Sequence, residues 1–286
     1  MRLTWRAGMV VVLLLGVALV GPAAMPAGSA PLPPAAPGTR AMWLWSEAPA
    51  AEVIEFAGAR GVQEIFVHVG TQVATDGSLP RLRELKQLAD ARKVRLTALG
   101  GDPAWTTDHG SALAWQRAVV RTGLFAGLHV DVEPYLLPGW TSAYQQTAKQ
   151  FLALLDKLRT GSALPVEADV PFWYGQYKVG TLNLANEVLK RVSAVTIMSY
   201  RDTGVGTNSM LAVSKDWLVR GSAAGKRVRL GAETGPLSDC GYCTFAEEGA
   251  THLGNELAEV DAATRTTYSF GGIAVHHYDS WRDLPA

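Results

Sequence analysis

The sequence predicts an α/β fold: a (β/α)8 TIM barrel that forms a single domain. Eight short apolar or alternating runs predict strands, and segments with apolar residues at helical spacing lie between them. Strict alternation of strands and helices without a long linker is typical of a parallel α/β fold. Eight such units in roughly 250 residues indicate a closed barrel.

The predicted strands are short and apolar on at least one face. They are Ala41–Trp45, Gln63–Val69, Val94–Leu99, Leu128–Glu133, Pro165–Val170, Ala194–Tyr200, Val228–Glu233 and Gly272–Tyr278. The predicted helices are Pro49–Arg60, Pro80–Arg92, Ser111–Gly123, Ser142–Leu158, Leu182–Arg191, Met210–Ala223 and Ala246–Ala263. Asp108 and Thr141 precede helix starts, and Gly61 and Gly161 follow helix ends, as helix-capping residues do.

A doubly wound parallel sheet is the alternative fold. It would favour a glycine-rich phosphate loop after the first strand. The sequence at that point is Trp45-Ser46-Glu47-Ala48-Pro49, which contains no glycine. The barrel is therefore the favoured prediction.

The N-terminus predicts a secretory signal peptide over residues 1–30. Arg2 and Arg6 provide positive charge, Met9–Val20 is an apolar run, and small residues follow. The run is short for a membrane span. We therefore expect a secreted, extracellular protein with no stable membrane insertion after cleavage, and an uncleaved anchor is the alternative. Residues 31–38 are rich in Pro and Ala and predict a linker, so the barrel occupies 39–286.

Composition limits the possible partners. The chain has 286 residues, of which 48% are hydrophobic and 18% charged, enough for a substantial core. Removing Arg2 and Arg6 lowers Lys+Arg from 26 to 24 against 26 Asp+Glu, so the mature chain has a net charge of −2. No run of Lys or Arg exceeds two residues. We therefore expect no nucleic-acid partner, and we expect a monomer.

The chain contains two cysteines, Cys240 and Cys243. This spacing in a cytosolic protein would suggest a redox or zinc site. In a secreted protein a local disulfide is favoured. A zinc site would need two further ligands, and no second pair of Cys or His at metal spacing supplies them.

The stretch Gly127–Tyr135 contains the strongest indication of a site. Alternation places His129, Asp131 and Glu133 on one face of the predicted strand, at the barrel interior. Active sites of such barrels lie at the C-terminal ends of the strands. Glu133 is therefore a candidate general acid with Asp131 beneath it, since two close carboxylates raise one pKa. The alternative is that Asp131 and Glu133 have a structural role and bind backbone or Arg groups. His129 is predicted to be a hydrogen-bonded core histidine.

Other strand ends supply further candidate residues. Glu233 could be a second catalytic carboxylate, could bind a substrate hydroxyl or could hold the disulfide loop. Asp169 could belong to the site or pair with Arg201, and Tyr200 could bond a carboxylate or a reacting group. The candidates for substrate binding are Trp45, His68, Asp102, Trp105, Asp169, Trp173, Arg201, His276 and Trp281.

The chemistry of these strand ends predicts a glycan ligand. Tryptophans on one rim form flat apolar platforms that suit sugar rings. The histidines have no fixed spacing, so we predict no metal and no cofactor. A metal-dependent hydrolase would instead require His and carboxylate groups that converge on one point.

Two short motifs resemble the chitinase-like family-18 glycoside hydrolases. That family carries Asp-x-x-Asp-x-Asp-x-Glu on strand 4 and Met-x-Tyr-Asp on strand 6, where this chain has Asp131-Val132-Glu133 and Met198-Ser199-Tyr200-Arg201. The resemblance implies that Glu133 is the acid, that Asp131 positions the substrate N-acetyl group as nucleophile, and that Tyr200 contacts that group. The chain departs from these motifs at Ala126, His129 and Arg201, and its eighth strand has His276-His277 where those enzymes often have Trp.

A second resemblance is to the clan-A retaining glycosidases. They place an acid/base Glu on strand 4, often as Asn-Glu-Pro, and a nucleophilic Glu on strand 7. Glu133-Pro134 and Glu233 occupy those places here, with Val132 in place of Asn. A carbohydrate-binding barrel without catalysis is the alternative from another functional class.

Overall fold

A computed structural model describes residues 33–286 of the chain. They form one compact unit built on a closed parallel barrel of eight strands, which confirms the predicted (β/α)8 fold. The predicted signal peptide, residues 1–30, lies outside the described residues. No helix within 33–286 is long and apolar enough to cross a membrane.

The barrel strands follow one another around the barrel in chain order. They are β1 Arg40–Leu44, β2 Val62–His68, β3 Arg95–Gly100, β4 Leu128–Val130, β5 Val166–Pro171, β8 Ala194–Met198, β9 Arg227–Glu233 and β10 Phe270–His276. A small antiparallel hairpin, β6 Lys178–Val179 and β7 Leu182–Asn183, lies outside the barrel. Because all barrel strands are parallel, their C-terminal ends meet at one rim.

Helices cover the outside of the barrel. They are α1 Ala50–Ala59, α2 Leu79–Ala91, α3 His109–Thr122, α4 Pro138–Ser142, α5 Tyr144–Thr160, α6 Leu184–Leu189, α7 Met210–Ala224, α8 Gly249–Ala263 and α9 Tyr278–Arg282. Asp108 caps α3 by accepting a hydrogen bond from the Ser111 amide, as predicted. The predicted cap at Thr141 is wrong, because Thr141 lies inside the short α4 and α5 begins after Ala143.

The strand that carries the candidate acid is short. β4 ends at Val130, so the prediction of a strand through Glu133 is wrong at its end. Pro134 lacks an amide hydrogen and opens a 3₁₀ turn, Pro134–Leu136, with Glu133 at its start. The loop after β3 passes very close to the backbone of Asp131. A Cβ added to Gly101 of that loop would lie 1.9 Å from the Asp131 carbonyl oxygen. Glycine at 101 therefore allows the loop after β3 to pack against Asp131.

The described part of the predicted linker is bonded to the barrel. The Ala35 amide donates to the Phe270 carbonyl at 2.9 Å, and the Gly38 amide donates to Asp261 Oδ2 at 2.9 Å. These bonds hold the segment that enters β1 against the N-terminal end of the barrel.

The predicted disulfide is present. Cys240 and Cys243 are bonded to each other across a 3₁₀ turn, Gly241–Cys243, in the loop after β9. The bridge closes a very short stretch of chain, so it removes little conformational entropy from the unfolded state.

Reduction of the disulfide is expected to lower the free energy of unfolding by less than about 2 kcal/mol, because the closed loop is so short. Thermal unfolding with and without reductant measures this difference, and a C240S/C243S variant serves as the control. Loss of cooperative unfolding on reduction would contradict the expectation. Mass spectrometry that shows two free thiols in protein purified without reductant would refute the bond itself.

Candidate active site

Five ionisable side chains of the predicted site gather at the C-terminal rim. They come from the ends of β4, β8, β9 and β10 and are Asp131, Glu133, Tyr200, Glu233 and His276. Burial, and then the charges of nearby carboxylates, raise the pKa of Tyr200 well above its ordinary value. Those carboxylates are Glu233, Asp169, Asp131 and Glu133. The Tyr200 phenol is therefore influenced by four carboxylates from different strands.

Glu133 has the environment of a general acid. It keeps part of its surface exposed, and the Tyr135 hydroxyl donates a hydrogen bond to its Oε1. Burial raises the pKa of Glu133, the bond from Tyr135 lowers it, and the negative charge of Asp169 raises it further. The net direction is upward, which favours the protonated form that an acid needs.

Asp131 is more strongly perturbed than Glu133. Its Oδ1 is buried and has no hydrogen-bond partner among the described residues. Burial, followed by the charges of Asp169 and Glu133, raises the pKa of Asp131 well above its ordinary value. A neutral carboxyl at this position is consistent with a buried oxygen that receives no hydrogen bond.

Glu233 and His276 form a chain of hydrogen bonds that ends at Trp45. The Trp45 indole N–H donates to His276 Nε2 at 2.9 Å, so that nitrogen is the acceptor. His276 Nδ1 therefore carries the hydrogen and donates to Glu233 Oε2 at 2.7 Å. Glu233 Oε1 accepts hydrogen bonds from the Thr234 and Gly235 amides at 2.8 and 2.6 Å. Both carboxylate oxygens of Glu233 are therefore engaged, and its role in the described contacts is to orient His276 and Trp45.

A second layer of polar groups lies beneath the rim. His129 is fully buried, and its Nε2 lies 2.8 Å from Asp169 Oδ1. The other oxygen, Asp169 Oδ2, accepts a hydrogen bond from the Trp43 indole at 3.0 Å. The His129 ring stacks on Phe66 with ring centroids 3.8 Å apart. His129 is thus the buried, bonded histidine that the sequence predicts, and the partner of Asp169 is His129 and not Arg201.

A buried ionic cluster occupies the N-terminal half of the barrel below His129. Arg229 bonds Glu167 Oε2 at 2.8 Å and Glu64 Oε2 at 2.6 Å. Arg95 approaches Glu64 Oε1 at 2.5 Å and Glu167 Oε1 at 3.2 Å. Each carboxylate therefore has two guanidinium partners, which offset the cost of burying its charge.

The charge on His129 is expected to make stability depend on pH. Burial lowers the pKa of His129, but Asp169 and Glu167 outweigh it and raise the pKa to about 9. The unfolded value is about 6.5, so the stabilisation is complete below that pH and is lost as pH rises through about 9. It amounts to about 3 kcal/mol.

Urea unfolding across this pH window measures the effect, with His129→Asn as the control that lacks the titrating group. The wild-type free energy of unfolding should fall over the window, and the variant should lack this component. Equal pH slopes in the two proteins would contradict a charged His129.

The predicted aromatic platforms divide into two groups. Trp45 is half-buried beside His68, with ring centroids 5.6 Å apart, and Trp173 is half-buried next to Tyr135. Trp105 and Trp281 differ from the prediction, because they are 9% and 4% exposed. They pack in the core, and neither presents a ring face at the rim.

Two other predicted binding residues have structural contacts. Asp102 accepts a hydrogen bond from the Ala104 amide at 2.7 Å and caps the 3₁₀ turn Pro103–Thr106. Arg201 packs over the rings of Phe172 and Tyr242 at 5.1 and 5.4 Å. Both side chains were predicted to bind a ligand, and in the structure both make contacts within the protein instead.

Sequence reasoning misses Tyr135 and Trp43 as members of the site. Tyr135 follows Glu133 by two residues, but a turn and not a strand brings its hydroxyl back to the carboxyl. Trp43 is recognisable as a tryptophan near a strand end, yet its bond to Asp169 joins residues 126 positions apart. Only the closed barrel brings them together.

Within residues 33–286, no three side chains of the kinds His, Cys, Asp and Glu are grouped so that they could hold a metal ion. The acidic residues at the rim instead contact Tyr, His and backbone donors.

Comparisons with solved structures identify proteins of the same fold. A chitinase from Chromobacterium violaceum matches with a TM-score of 0.52 and 13% identity, covering 85% of this chain and 96% of its own. The spore cortex-lytic enzyme SleL of Bacillus cereus matches with a TM-score of 0.54 and 9% identity, covering 85% and 72%. YKL-39, solved in the presence of chitooligosaccharides, matches with a TM-score of 0.55 and 12% identity, covering 85% and 93%.

No family model matches the sequence, and no curated protein is significantly similar to it. These solved structures share the fold of this chain, a closed (β/α)8 barrel. One of them is a chitinase, so the first resemblance is confirmed at the level of fold.

Proposed function

We propose that this protein is a secreted glycoside hydrolase that cleaves a glycan containing N-acetylated sugars, with Glu133 as the general acid. The observation that carries the proposal is the grouping of Glu133, Asp131 and Tyr200 at the rim of the barrel. Glu133 and Asp131 both have raised pKa values, and both retain part of their surface. A site of proton donors at the C-terminal rim suits acid-assisted departure of an alcohol.

The mechanism follows from the two strand-4 carboxyls. Glu133 donates a proton to the glycosidic oxygen while the substrate acetamido oxygen attacks the anomeric carbon, and the C–O bond to the leaving sugar breaks. Asp131 and Tyr200 hydrogen-bond the acetamido group and hold it in position. Glu133, now a carboxylate, then removes a proton from the water that opens the cyclic intermediate. Two displacements at one carbon retain its configuration.

The clan-A mechanism receives less support, because it needs a free carboxylate oxygen on Glu233. Both Glu233 oxygens accept hydrogen bonds, from two backbone amides and from His276. Such a carboxylate is better suited to orient a neighbour than to attack a sugar.

Chitooligosaccharides and their de-N-acetylated counterparts test the proposal directly. The acetylated series should be hydrolysed with retention at the anomeric carbon, and the deacetylated series should resist hydrolysis because it lacks the internal nucleophile. Equal turnover of both series would contradict the substrate-assisted mechanism. NMR of the fresh products gives both rate and configuration.

A carbohydrate-binding barrel without catalysis is the second candidate. It is favoured by His129, which stands where the family pattern has a carboxylate, and by the ordered chain from Glu233 to Trp45 at the rim. Calorimetric binding of the acetylated series without turnover would support this candidate over the hydrolase.

A further inference from the structure

Tyr135 lies in the turn that directly follows the candidate acid. Glu133 begins the 3₁₀ turn Pro134–Leu136, and the Leu136 amide donates a hydrogen bond to the Glu133 carbonyl at 3.1 Å. The turn brings the Tyr135 hydroxyl back to the Glu133 side chain, where it donates a hydrogen bond to Oε1. The bond between these two side chains is therefore a product of the turn and not of β4.

Neighbours from three parts of the barrel hold Tyr135 in place. Its ring packs edge-on against Trp173 with ring centroids 5.2 Å apart, and the rings of Trp140 and Tyr174 each lie at 6.4 Å. Its hydroxyl also lies 3.9 Å from the sulfur of Met198, the last residue of β8. The hydroxyl therefore cannot turn away from the acid without disturbing this packing.

The two carboxyl oxygens of Glu133 have different surroundings. Oε1 accepts the bond from Tyr135, whereas Oε2 has no hydrogen-bond partner among the described residues. Oε2 is also not one of the buried polar atoms without a partner, a group that includes Asp131 Oδ1, so it reaches solvent. A neutral carboxyl carries one hydrogen, and the oxygen that carries it is the poorer acceptor. The bond from Tyr135 therefore favours the proton on Oε2, the oxygen that a ligand can reach.

Six other titratable side chains lie close enough to Glu133 for one group to influence the pKa of the other. They are Asp131, Tyr135, Asp169, Tyr174, Tyr200 and His276. Burial raises the pKa of Glu133, and the bond from Tyr135 is the largest influence that lowers it. A hydroxyl donor stabilises a carboxylate more than a neutral carboxyl. The bond therefore opposes burial and makes Glu133 a stronger acid than burial alone would.

We propose that Tyr135 is a positioning residue for the candidate acid: its hydroxyl holds Oε1 of Glu133, directs the proton to Oε2 and stabilises the carboxylate that remains after proton transfer. In that step the O–H bond at Oε2 breaks, the proton goes to the glycosidic oxygen, and the charge left on Glu133 is shared with the oxygen that Tyr135 bonds. Tyr135 keeps its own hydrogen, because burial and then Glu133 raise the pKa of its phenol. The kinetic consequence rests on the proposed function, whereas the effect of Tyr135 on Glu133 does not.

Tyr135→Phe tests the proposal, because it removes the hydroxyl and keeps the ring. NMR follows the carboxyl carbon of Glu133 in protein labelled with ¹³C-glutamate, and Glu133→Gln assigns the signal. The midpoint of the Glu133 titration should rise by about half a pH unit to one pH unit in the variant, because the carboxylate has lost a donor. An unchanged or lower midpoint in a folded variant would overturn the proposal.

Tyr144→Phe is the matched control, since Tyr144 belongs to the same group of aromatic rings. Its ring centroid lies 4.9 Å from that of Trp140, and its buried hydroxyl has no partner among the described residues. Burial, followed by Tyr177, raises the pKa of Tyr144 to about 12, and Glu133 is not among the causes. This variant should leave the Glu133 midpoint where it is. Equal shifts in both variants would indicate loosening of the aromatic rings and would contradict the role of the hydroxyl.

Activity provides a second readout. If chitotetraose is hydrolysed, Tyr135→Phe should lower kcat by about tenfold and leave KM nearly unchanged, because the lost bond is strongest when Glu133 is a carboxylate. The alkaline limb of the pH–rate profile should move to higher pH, since Glu133 holds its proton longer. General damage to the site would lower the rate without this upward movement. A shifted midpoint with unchanged kcat would overturn the proposed assistance to proton transfer.

The two readouts distinguish this inference from the proposed function. If NMR shows the shift and no glycan is hydrolysed, the effect of Tyr135 on Glu133 stands and the hydrolase proposal fails. If hydrolysis occurs and Tyr135→Phe changes neither the midpoint nor kcat, the inference fails and the hydrolase proposal stands.

Discussion

Glu133→Gln is expected to lower the turnover of any glycan that the wild-type protein hydrolyses by about 10²–10⁴-fold, the usual contribution of a general acid. The amide keeps the size of the side chain and can still accept the hydrogen bond from Tyr135, but it has no acidic proton to give to the leaving oxygen. The loss corresponds to about 3–5 kcal/mol in the activation free energy. Substrate binding should change much less, because the same contacts remain.

The experiment compares wild type and Glu133→Gln on a glycan library, with circular dichroism and thermal unfolding as checks of the fold. Glu55→Gln is the matched control, since Glu55 is an exposed carboxylate on α1. It should behave as the wild type does. Unchanged turnover in a folded Glu133→Gln would refute the assignment of the acid, and equal losses in both variants would indicate a general effect of the substitution.

Arg229→Met is expected to lower the free energy of unfolding by about 3–5 kcal/mol, the cost of removing one partner from a buried ion pair. Arg229 is 8% exposed and bridges Glu167 and Glu64 at 2.8 and 2.6 Å. Without it, Arg95 is the one guanidinium of the cluster that these two carboxylates keep. Denaturant unfolding near neutral pH measures the loss.

The deficit of Arg229→Met should shrink in acid. Burial raises the pKa of Glu167, but Arg229, His129 and Arg95 outweigh it and hold the pKa below its ordinary value in the wild type. The stabilisation from Glu167 is therefore present above about pH 4.5 and is lost as pH falls through the lower folded value. In the variant a carboxyl that has lost Arg229 can take up a proton, which lowers the cost of its burial.

Arg60→Met is the control for the arginine substitution, because Arg60 is exposed and stacks over Phe56 at 5.5 Å. Its loss of stability should be small and independent of pH. A difference between Arg229→Met and wild type no larger than that of Arg60→Met would contradict the role of the buried cluster.

The fold was predictable because hydrophobic periodicity is local. A few consecutive residues are enough to indicate whether an apolar run buries one face or both faces. All eight predicted strands occur in the barrel. The errors lie where local signals compete. β4 stops at Val130 although the alternation continues to Glu133, because the chain leaves the ladder before Pro134.

The sequence predicted where the site residues lie in the barrel better than it predicted which groups they contact. The strand ends of a parallel barrel converge, so Asp131, Glu133, Tyr200, Glu233 and His276 fall on one rim. Which side chains face a ligand depends on packing that no short window contains. Trp105 and Trp281 are as aromatic as Trp45, yet they fill the core.

The sequence by itself determined the alternating strands and helices and, on the fourth strand, the spacing of His129, Asp131 and Glu133, since periodicity and residue chemistry are local properties. Tertiary structure alone decided which charges meet: Asp169 with His129 and Trp43, Glu233 with His276, and Arg229 with Glu64 and Glu167. These contacts span up to 165 positions in the chain and arise only when the barrel closes. The physical reason is that a pKa depends on burial and on the distances between charges, and both are properties of the folded protein.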